Sequence, residues 1–233
     1  YGPEVGQAIL EHPSIRAISF TGGTATGRHV AATSAPMFKK LSLELGGKNA
    51  TIVLDDADLE LALDGTLRAG FTNSGQVCLC GSRILLHASI ADQFLAKFVE
   101  RVERMVCGAP EDESTQIGAL ISQEHLRKVE SYIQLGIEEG GAIVAGGTRE
   151  MTGQVGPTPN GAFLRPTIID GLNHTSRTVT EEIFGPVVTI HRFYSDDEAI
   201  AMANSTEYGL AGSVWSKNAE RAHALAQQIE TGI

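Results

Sequence analysis

Basic charge, cysteine and long apolar runs are what this 233-residue sequence has least of, and each shortage removes a class of function. Lys and Arg number 18 against 28 Asp and Glu, a formal net charge of −10 at pH 7. The positive footprint that nucleic acid or an anionic membrane demands is therefore missing. Mean hydropathy is −0.02, no apolar run approaches the ~20 residues of a membrane-spanning helix, and no signal-peptide pattern opens the sequence. The three cysteines, Cys78, Cys80 and Cys107, are too few for a disulfide scaffold and fit free thiols in a reducing, cytoplasmic setting. Cys78 and Cys80 sit too close along the chain for an easy bridge, and two thiols without a second ligand pair make no metal site. With 42% hydrophobic residues, the chain can still build a sizeable core in one or two domains.

Periodicity predicts strands alternating with helices. Short apolar or alternating runs mark strands over residues 16–20, 41–45, 51–54, 83–87, 142–145, 163–169, 187–193 and 212–215. Helical patterns cover residues 24–34, about 57–71, 91–106, 123–139, 196–204 and 218–230, with Asp55-Asp56 as the expected cap of the second. Residues 151–161, rich in Gly and Pro, read as a loop. Strands separated by helices of this length imply an α/β fold with a largely parallel sheet.

Two glycine-bracketed segments carry chemistry. Cys78 lies in Gly75-Gln76-Val77-Cys78-Leu79-Cys80-Gly81-Ser82-Arg83, and Glu44 in Leu43-Glu44-Leu45-Gly46-Gly47-Lys48-Asn49, 34 residues apart. A thiolate attacks electrophilic carbon, and a carboxylate activates the water that later releases the product. Taken singly, a cysteine is more often a small core residue and a glutamate a solvated surface group. A third segment, Phe20-Thr21-Gly22-Gly23-Thr24-Ala25-Thr26-Gly27, reads as a strand turning into a helix whose exposed N–H groups and dipole suit a phosphate. A tight turn needing left-handed backbone explains the same glycines equally well.

Together the Glu44 and Cys78 segments resemble the glutamate and cysteine signatures of the aldehyde dehydrogenase superfamily. The Gly22 segment is similar to its phosphate loop, Glu181-Glu182-Ile183-Phe184-Gly185-Pro186-Val187 to its ribose-contacting stretch, and Asn204 through Ala211 to its Tyr-Gly-Leu-Ala turn. The five segments follow in the family's order over essentially the whole chain. The resemblance implies an oxidoreductase of aldehyde dehydrogenase fold, with residues 1–46 as the C-terminal part of a Rossmann-type NAD-binding domain and residues 47–233 as a mostly parallel α/β catalytic domain.

What the resemblance implies about the site is specific. Cys78 becomes the nucleophile and Glu44 the general base, through a thiohemiacetal and a thioester. Gly22, Gly23, Thr24, Gly27 and Leu45 contact the cofactor NAD, Glu182 its ribose hydroxyls, and Phe184 packs beside its nicotinamide. The family commonly has Ser where Gly23 stands, so only a backbone contact to phosphate is expected there. A helix terminus is expected near Cys78 to favour its thiolate.

Lys39 through Asn49, with Cys78-Leu79-Cys80 and Gly118-Ala119-Leu120-Ile121-Ser122, most resembles the branch acting on 2-aminomuconic and 2-hydroxymuconic semialdehydes. Betaine-type and general aliphatic aldehyde dehydrogenases remain open alternatives, as does a family member without activity. A small-molecule aldehyde is the expected partner, with no nucleic acid and no membrane, and the family implies a homo-oligomer. Tyr1-Gly2-Pro3-Glu4-Val5-Gly6 is similar to a glycine turn midway through the family's nucleotide domain, and Thr231-Gly232-Ile233 to a helix end beyond which the family continues. The expectation is an internal stretch of a longer enzyme, inactive by itself.

Overall fold

The computed structural model describes residues 1–149 and 161–233; the loop expected over residues 151–161 lies, apart from Gly161, outside the described residues. The chain divides into two compact units, Tyr1–Gly46 and Gly47–Ile233. In the first, helix α1 (Gly2–Glu11) precedes strand β1 (Ala17–Thr21), helix α2 (Thr24–Ser34) and strand β2 (Lys40–Glu44). The two strands run parallel, with Ala17 opposite Lys40 and Thr21 opposite Glu44.

Helix α1 corrects the glycine turn expected at residues 1–6. Pro3 falls in its first turn, where a missing N–H costs nothing and the fixed φ suits a helix, and Glu4 sits favourably at the positive end. Burial of Leu10 anchors its far end. The interior Gly6, worth about 1 kcal/mol against the helix, does not override these.

The second unit runs β3 (Ala50–Val53), α3 (Leu59–Phe71), β4 (Arg83–His87), α4 (Ala88–Glu103), α5 (Gln123–Glu138), β5 (Ala142–Ala145), β6 (Thr167–Asp170), α6 (Arg177–Thr180), β7 (Val187–Phe193), α7 (Asp196–Ala203), β8 (Gly212–Trp215) and α8 (Ala219–Ala226). Its six-stranded sheet has the order β5-β6-β7-β4-β3-β8. Every neighbouring pair is parallel except β5 with β6.

Helices on both faces explain why the central strands β3, β4 and β7 are buried along nearly their whole length. Along β4, Ile84 and Leu86 enter a cluster with Leu63, Phe94 and Phe98, while Leu85 points the other way, to Ile52, Phe193, Ala199 and Leu225. That alternation is the period-two geometry of a strand. A third cluster packs Leu126, Val129 and Ile133 of α5 on Ile169, Val179, Ile183 and Val187. Each fully buried side chain of this size contributes about 1.5–3 kcal/mol.

Several boundaries differ from the sequence-based expectation, each for a local reason. The cap of α3 is Asp58, whose carboxylate accepts the N–H groups of Glu60 and Leu61. Asp55 instead pairs with Arg221 at 2.7 Å, and Asp56 accepts the Ser216 hydroxyl at 2.8 Å. Helix α4 starts three residues earlier than expected because the His87 ring accepts the Ser89 N–H as its cap. Strand β6 begins only at Thr167, since Pro166 has no N–H for the ladder. After α8 the chain turns, with Asn204 Nδ2 donating to Gln228 O and Asn204 Oδ1 accepting the Glu230 N–H.

Candidate active site

The thiol segment follows α3 through a short 3-10 turn, Thr72–Gly75, built on left-handed backbone. Asn73 has φ 51°, Ser74 φ 56° and Gly75 φ 71°. Non-glycine residues adopt this region at a cost of about 1–2 kcal/mol each, so something must hold them. Ser74 Oγ donates to Gly118 O at 2.9 Å, Asn73 Nδ2 to Gln76 O at 3.1 Å, and Gln76 Oε1 accepts the Ile121 N–H at 2.9 Å. Gly75 lies so close to Gly185 that a Cβ would stand 2.1 Å from its carbonyl oxygen. The thiol loop is thereby seated on the segment that carries Glu182 and Phe184.

Among the three thiols Cys78 is half-buried, whereas Cys80 and Cys107 are buried. Burial pushes the Cys80 thiol up to about 11, keeping it protonated at neutral pH. The Cys78 N–H donates to no described residue, while its carbonyl accepts from Asn49 Nδ2 at 2.7 Å. The helix that precedes this loop ends at Phe71, so the terminus α3 offers on the Cys78 side is its C-terminus, the end that does not favour a thiolate.

Glu182 accepts the Gly47 N–H on Oε1 at 3.0 Å, which fixes the carboxylate while leaving Oε2 as an acceptor. Its neighbour Glu181 is engaged elsewhere, by Arg177 at 2.7 Å and the Tyr132 hydroxyl at 2.6 Å. Phe184 is a strained, partly exposed aromatic: its φ is 61° and it is 37% exposed. The His125 ring donates to the Phe184 carbonyl at 2.6 Å and meets the phenyl ring edge-on. An aromatic held out of the core in left-handed backbone is suited to facing a flat ligand.

Lys48 and Asn49 gave no separate signal in the sequence beyond standing next to the double glycine. Lys48 is buried, donates to Thr178 O at 2.9 Å, and is drawn down to about 7, mainly by burial and by the Arg83 charge. Arg83 itself is spent on three carbonyls, those of Lys48, Met202 and Ala203. Among the described residues no group of three or more His, Cys, Asp or Glu is placed to hold a metal ion.

The first unit holds the other candidates. The Gly22 N–H donates to Glu44 O at 3.0 Å, tying the turn after β1 to the end of β2. Gly23 caps α2 in an extended conformation with no side-chain cap, and space around it is open. Orphan N–H groups thus face outward beside Thr24. Gly27 is buried under Leu45, whose methyl would lie 2.4 Å from a Cβ on that glycine, so these two residues pack on each other. Glu44 is exposed at the end of β2. A groove of about 1010 Å³ in this unit runs along Leu10, Ile18, Phe20, Gly22, Gly23 and Thr26.

A parallel α/β sheet with an accessible thiol in a locked loop defines a class of enzyme-like domain, and comparison with known proteins places it further. The profile of the aldehyde dehydrogenase family matches residues 1–233. The 2-aminomuconic semialdehyde dehydrogenase of Danio rerio is 44% identical over 232 residues, 100% of this chain and 48% of the relative. The 5-carboxymethyl-2-hydroxymuconate semialdehyde dehydrogenase of Escherichia coli is 44% identical over 233 residues, 100% of this chain and 49% of the relative. A crystal structure of betaine aldehyde dehydrogenase from Staphylococcus aureus in complex with NAD+ superposes with a TM-score of 0.96 at 42% identity, covering 100% of this chain and 46% of that one. The chain belongs to the aldehyde dehydrogenase family, and it spans about half the length of the curated relatives it matches.

Proposed function

We propose that the protein oxidises an aldehyde to the carboxylic acid with NAD as the hydride acceptor, residues 1–46 contributing to the NAD-binding domain and residues 47–233 to the catalytic domain. The observation that carries this reading is Cys78: the accessible thiol of the three, in a strained loop locked against the Glu182–Gly185 segment, with an undonated N–H of its own.

The residues present fit the cofactor. Uncapped N–H groups at the open Gly23 end of α2 suit a phosphate. Gly22, Thr24, Gly27 and Leu45 shape that turn, Glu182 offers a fixed carboxylate to ribose hydroxyls, and exposed Phe184 offers a ring to the nicotinamide. When bound, NAD supplies the acceptor for the hydride that leaves the substrate carbon.

Cys78, as the thiolate, bonds through Sγ to the aldehyde carbon, the carbonyl oxygen becomes an oxyanion, and the Cys78 N–H donates to it. After oxidation that carbon is a thioester. Glu44 takes a proton from the water that attacks it, releasing the carboxylic acid and restoring the thiolate. The substrate class favoured is a muconic-type semialdehyde, on the strength of the relatives from Danio rerio and Escherichia coli; the Staphylococcus aureus structure supports a betaine-type aldehyde as the second reading. A homo-oligomer in the cytosol completes the proposal.

In the full-length enzyme, brief alkylation with limiting iodoacetamide is expected to label Cys78 ahead of Cys80 and Cys107. Cys78→Ser should lower kcat on the order of 10⁴-fold or more; an active Cys78→Ser enzyme ends the mechanism. Glu44→Gln should keep the burst of NADH but lose steady-state turnover, and a matched loss of both would move Glu44 to an earlier step. The ratio of kcat/KM for a muconic semialdehyde against betaine aldehyde decides between the two substrates.

A further inference from the structure

Asn49 stands at the entrance to β3, 4% exposed, and all its carboxamide hydrogen-bonding capacity toward the thiol segment is used. Nδ2 donates to Cys78 O at 2.7 Å and to Cys80 O at 2.9 Å, while Oδ1 accepts the Ala211 N–H at 3.0 Å. The orientation is unique. A flipped amide would set its oxygen against two carbonyls and its NH₂ against an N–H, losing all three bonds.

The Cys78 carbonyl is pinned from a second side as well. Gly47 passes so near that a Cβ there would lie 2.6 Å from Cys78 O. Apart from these contacts the stretch from Val77 to Cys80 makes two backbone bonds, Cys80 N–H to Val77 O at 3.0 Å and Ser82 N–H to Cys80 O at 3.0 Å. Neighbouring polar contacts brace the loop's earlier part, at Ser74 and Gln76, and not the thiol residue itself. Fixing that carbonyl holds the peptide plane on the C-terminal side of the Cys78 Cα, and so anchors the Cα from which both the Cys78 side chain and its N–H project.

We propose that Asn49 is a positioning residue for the nucleophile: by holding the Cys78 and Cys80 carbonyls it keeps thiol and oxyanion donor in one geometry. The proposal rests on the reading of Cys78 as nucleophile. Asn49 touches no reacting atom, so its removal acts on the rate of thiol chemistry and not on cofactor affinity. Misplacing a nucleophile by an ångström costs on the order of a hundredfold in rate.

The test uses Asn49→Ala, Asn49→Ser and Asn49→Asp in the full-length enzyme. Asn49→Ala is expected to lower kcat on the order of 10- to 100-fold, with KM for NAD within about threefold of the parent value. Asn49→Ser retains one donor and should recover part of the rate. Asn49→Asp keeps the shape and the Ala211 contact but presents lone pairs to two carbonyls, so it should be as slow as Asn49→Ala. Hydrogen exchange should accelerate over residues 76–82 while β3 and β8 stay protected.

If Asn49→Ala does not fold, the serine and aspartate variants carry the same comparison. Unchanged kcat and unchanged exchange in folded variants overturn the proposal, as does exchange that rises equally across β3 and β8 with kcat and KM altered together. The underlying reading fails separately: an active Cys78→Ser enzyme removes the nucleophile, while faster exchange over residues 76–82 in Asn49→Ala would still show the loop to be held by Asn49.

Discussion

The two compact units use the same local grammar and differ in how much of it they bury. Both alternate strand and helix, and both pair their strands in parallel apart from β5 with β6 in the second. Yet of all the buried hydrophobic residues only Leu10 and Val30 belong to Tyr1–Gly46. Strands β1 and β2 carry no buried residue, whereas β3 is buried throughout and β7 at six of its seven positions. The difference is written in composition: Ala17-Ile-Ser-Phe-Thr21 alternates, and Arg83-Ile-Leu-Leu-His87 has a continuous apolar centre. Alternation serves a strand with one covered face and a continuous run serves one with two. Element type therefore follows from pattern in both units, while stability is concentrated in the second.

The strongest challenge to that contrast is a pair of core truncations. Phe98→Ala, which removes a fully buried ring stacked on Phe71 and Phe94, should lower unfolding stability by about 3–5 kcal/mol in denaturant titration. Leu10→Ala should shift the transition of the second unit by no more than about 0.5 kcal/mol and act by opening its own unit. Equal losses would make the two units one cooperative body.

Acid should act on the second unit through His191. Burial and the Arg83 charge draw this imidazole down to about 4 from 6.5, and its Nε2 pairs with Thr189 Oγ1 at 3.0 Å. Above pH 6.5 the ring is neutral folded and unfolded, so nothing changes. Between 6.5 and 4 the unfolded chain binds a proton that the folded chain refuses, and stability falls with pH by up to about 3 kcal/mol. Below 4 both states are protonated and this contribution levels off. His191→Asn should flatten the melting temperature between pH 6.5 and 4; an unaltered slope would assign that acid limb to other groups.

A smaller effect separates the aspartates at the start of α3. Asp58→Ala should cost about 1 kcal/mol, the worth of one N-cap, read as a lowered melting temperature. Asp56→Ala leaves the helix cap intact and acts on the Ser216–Asn218 turn instead. If Asp56→Ala destabilised α3 by amide exchange more than Asp58→Ala did, the cap would be wrongly placed.

Strands over residues 83–87, 142–145, 187–193 and 212–215 and the helix over 24–34 were legible to the residue, because apolar period and flanking turns mark them locally. The glycines around Cys78 were legible too. The left-handed Asn73 and Ser74 were not, since neither residue demands that backbone; Gly118 and Gly185, far along the chain, impose it. Asp55-Asp56 looked like a cap because the competing partners, Arg221 and Ser216, lie about 160 residues away.

Residue pattern alone determined most element types, the parallel α/β class and the family, because periodicity, turn chemistry and motif letters are properties of short stretches. Tertiary structure alone decided which polar group satisfies which. Asn49 could cap, turn or dangle by its own letter. It holds Cys78 and Cys80 because a buried polar group left without a partner costs about 1–3 kcal/mol, and the fold brings its amide to these two carbonyls from 29 and 31 residues back.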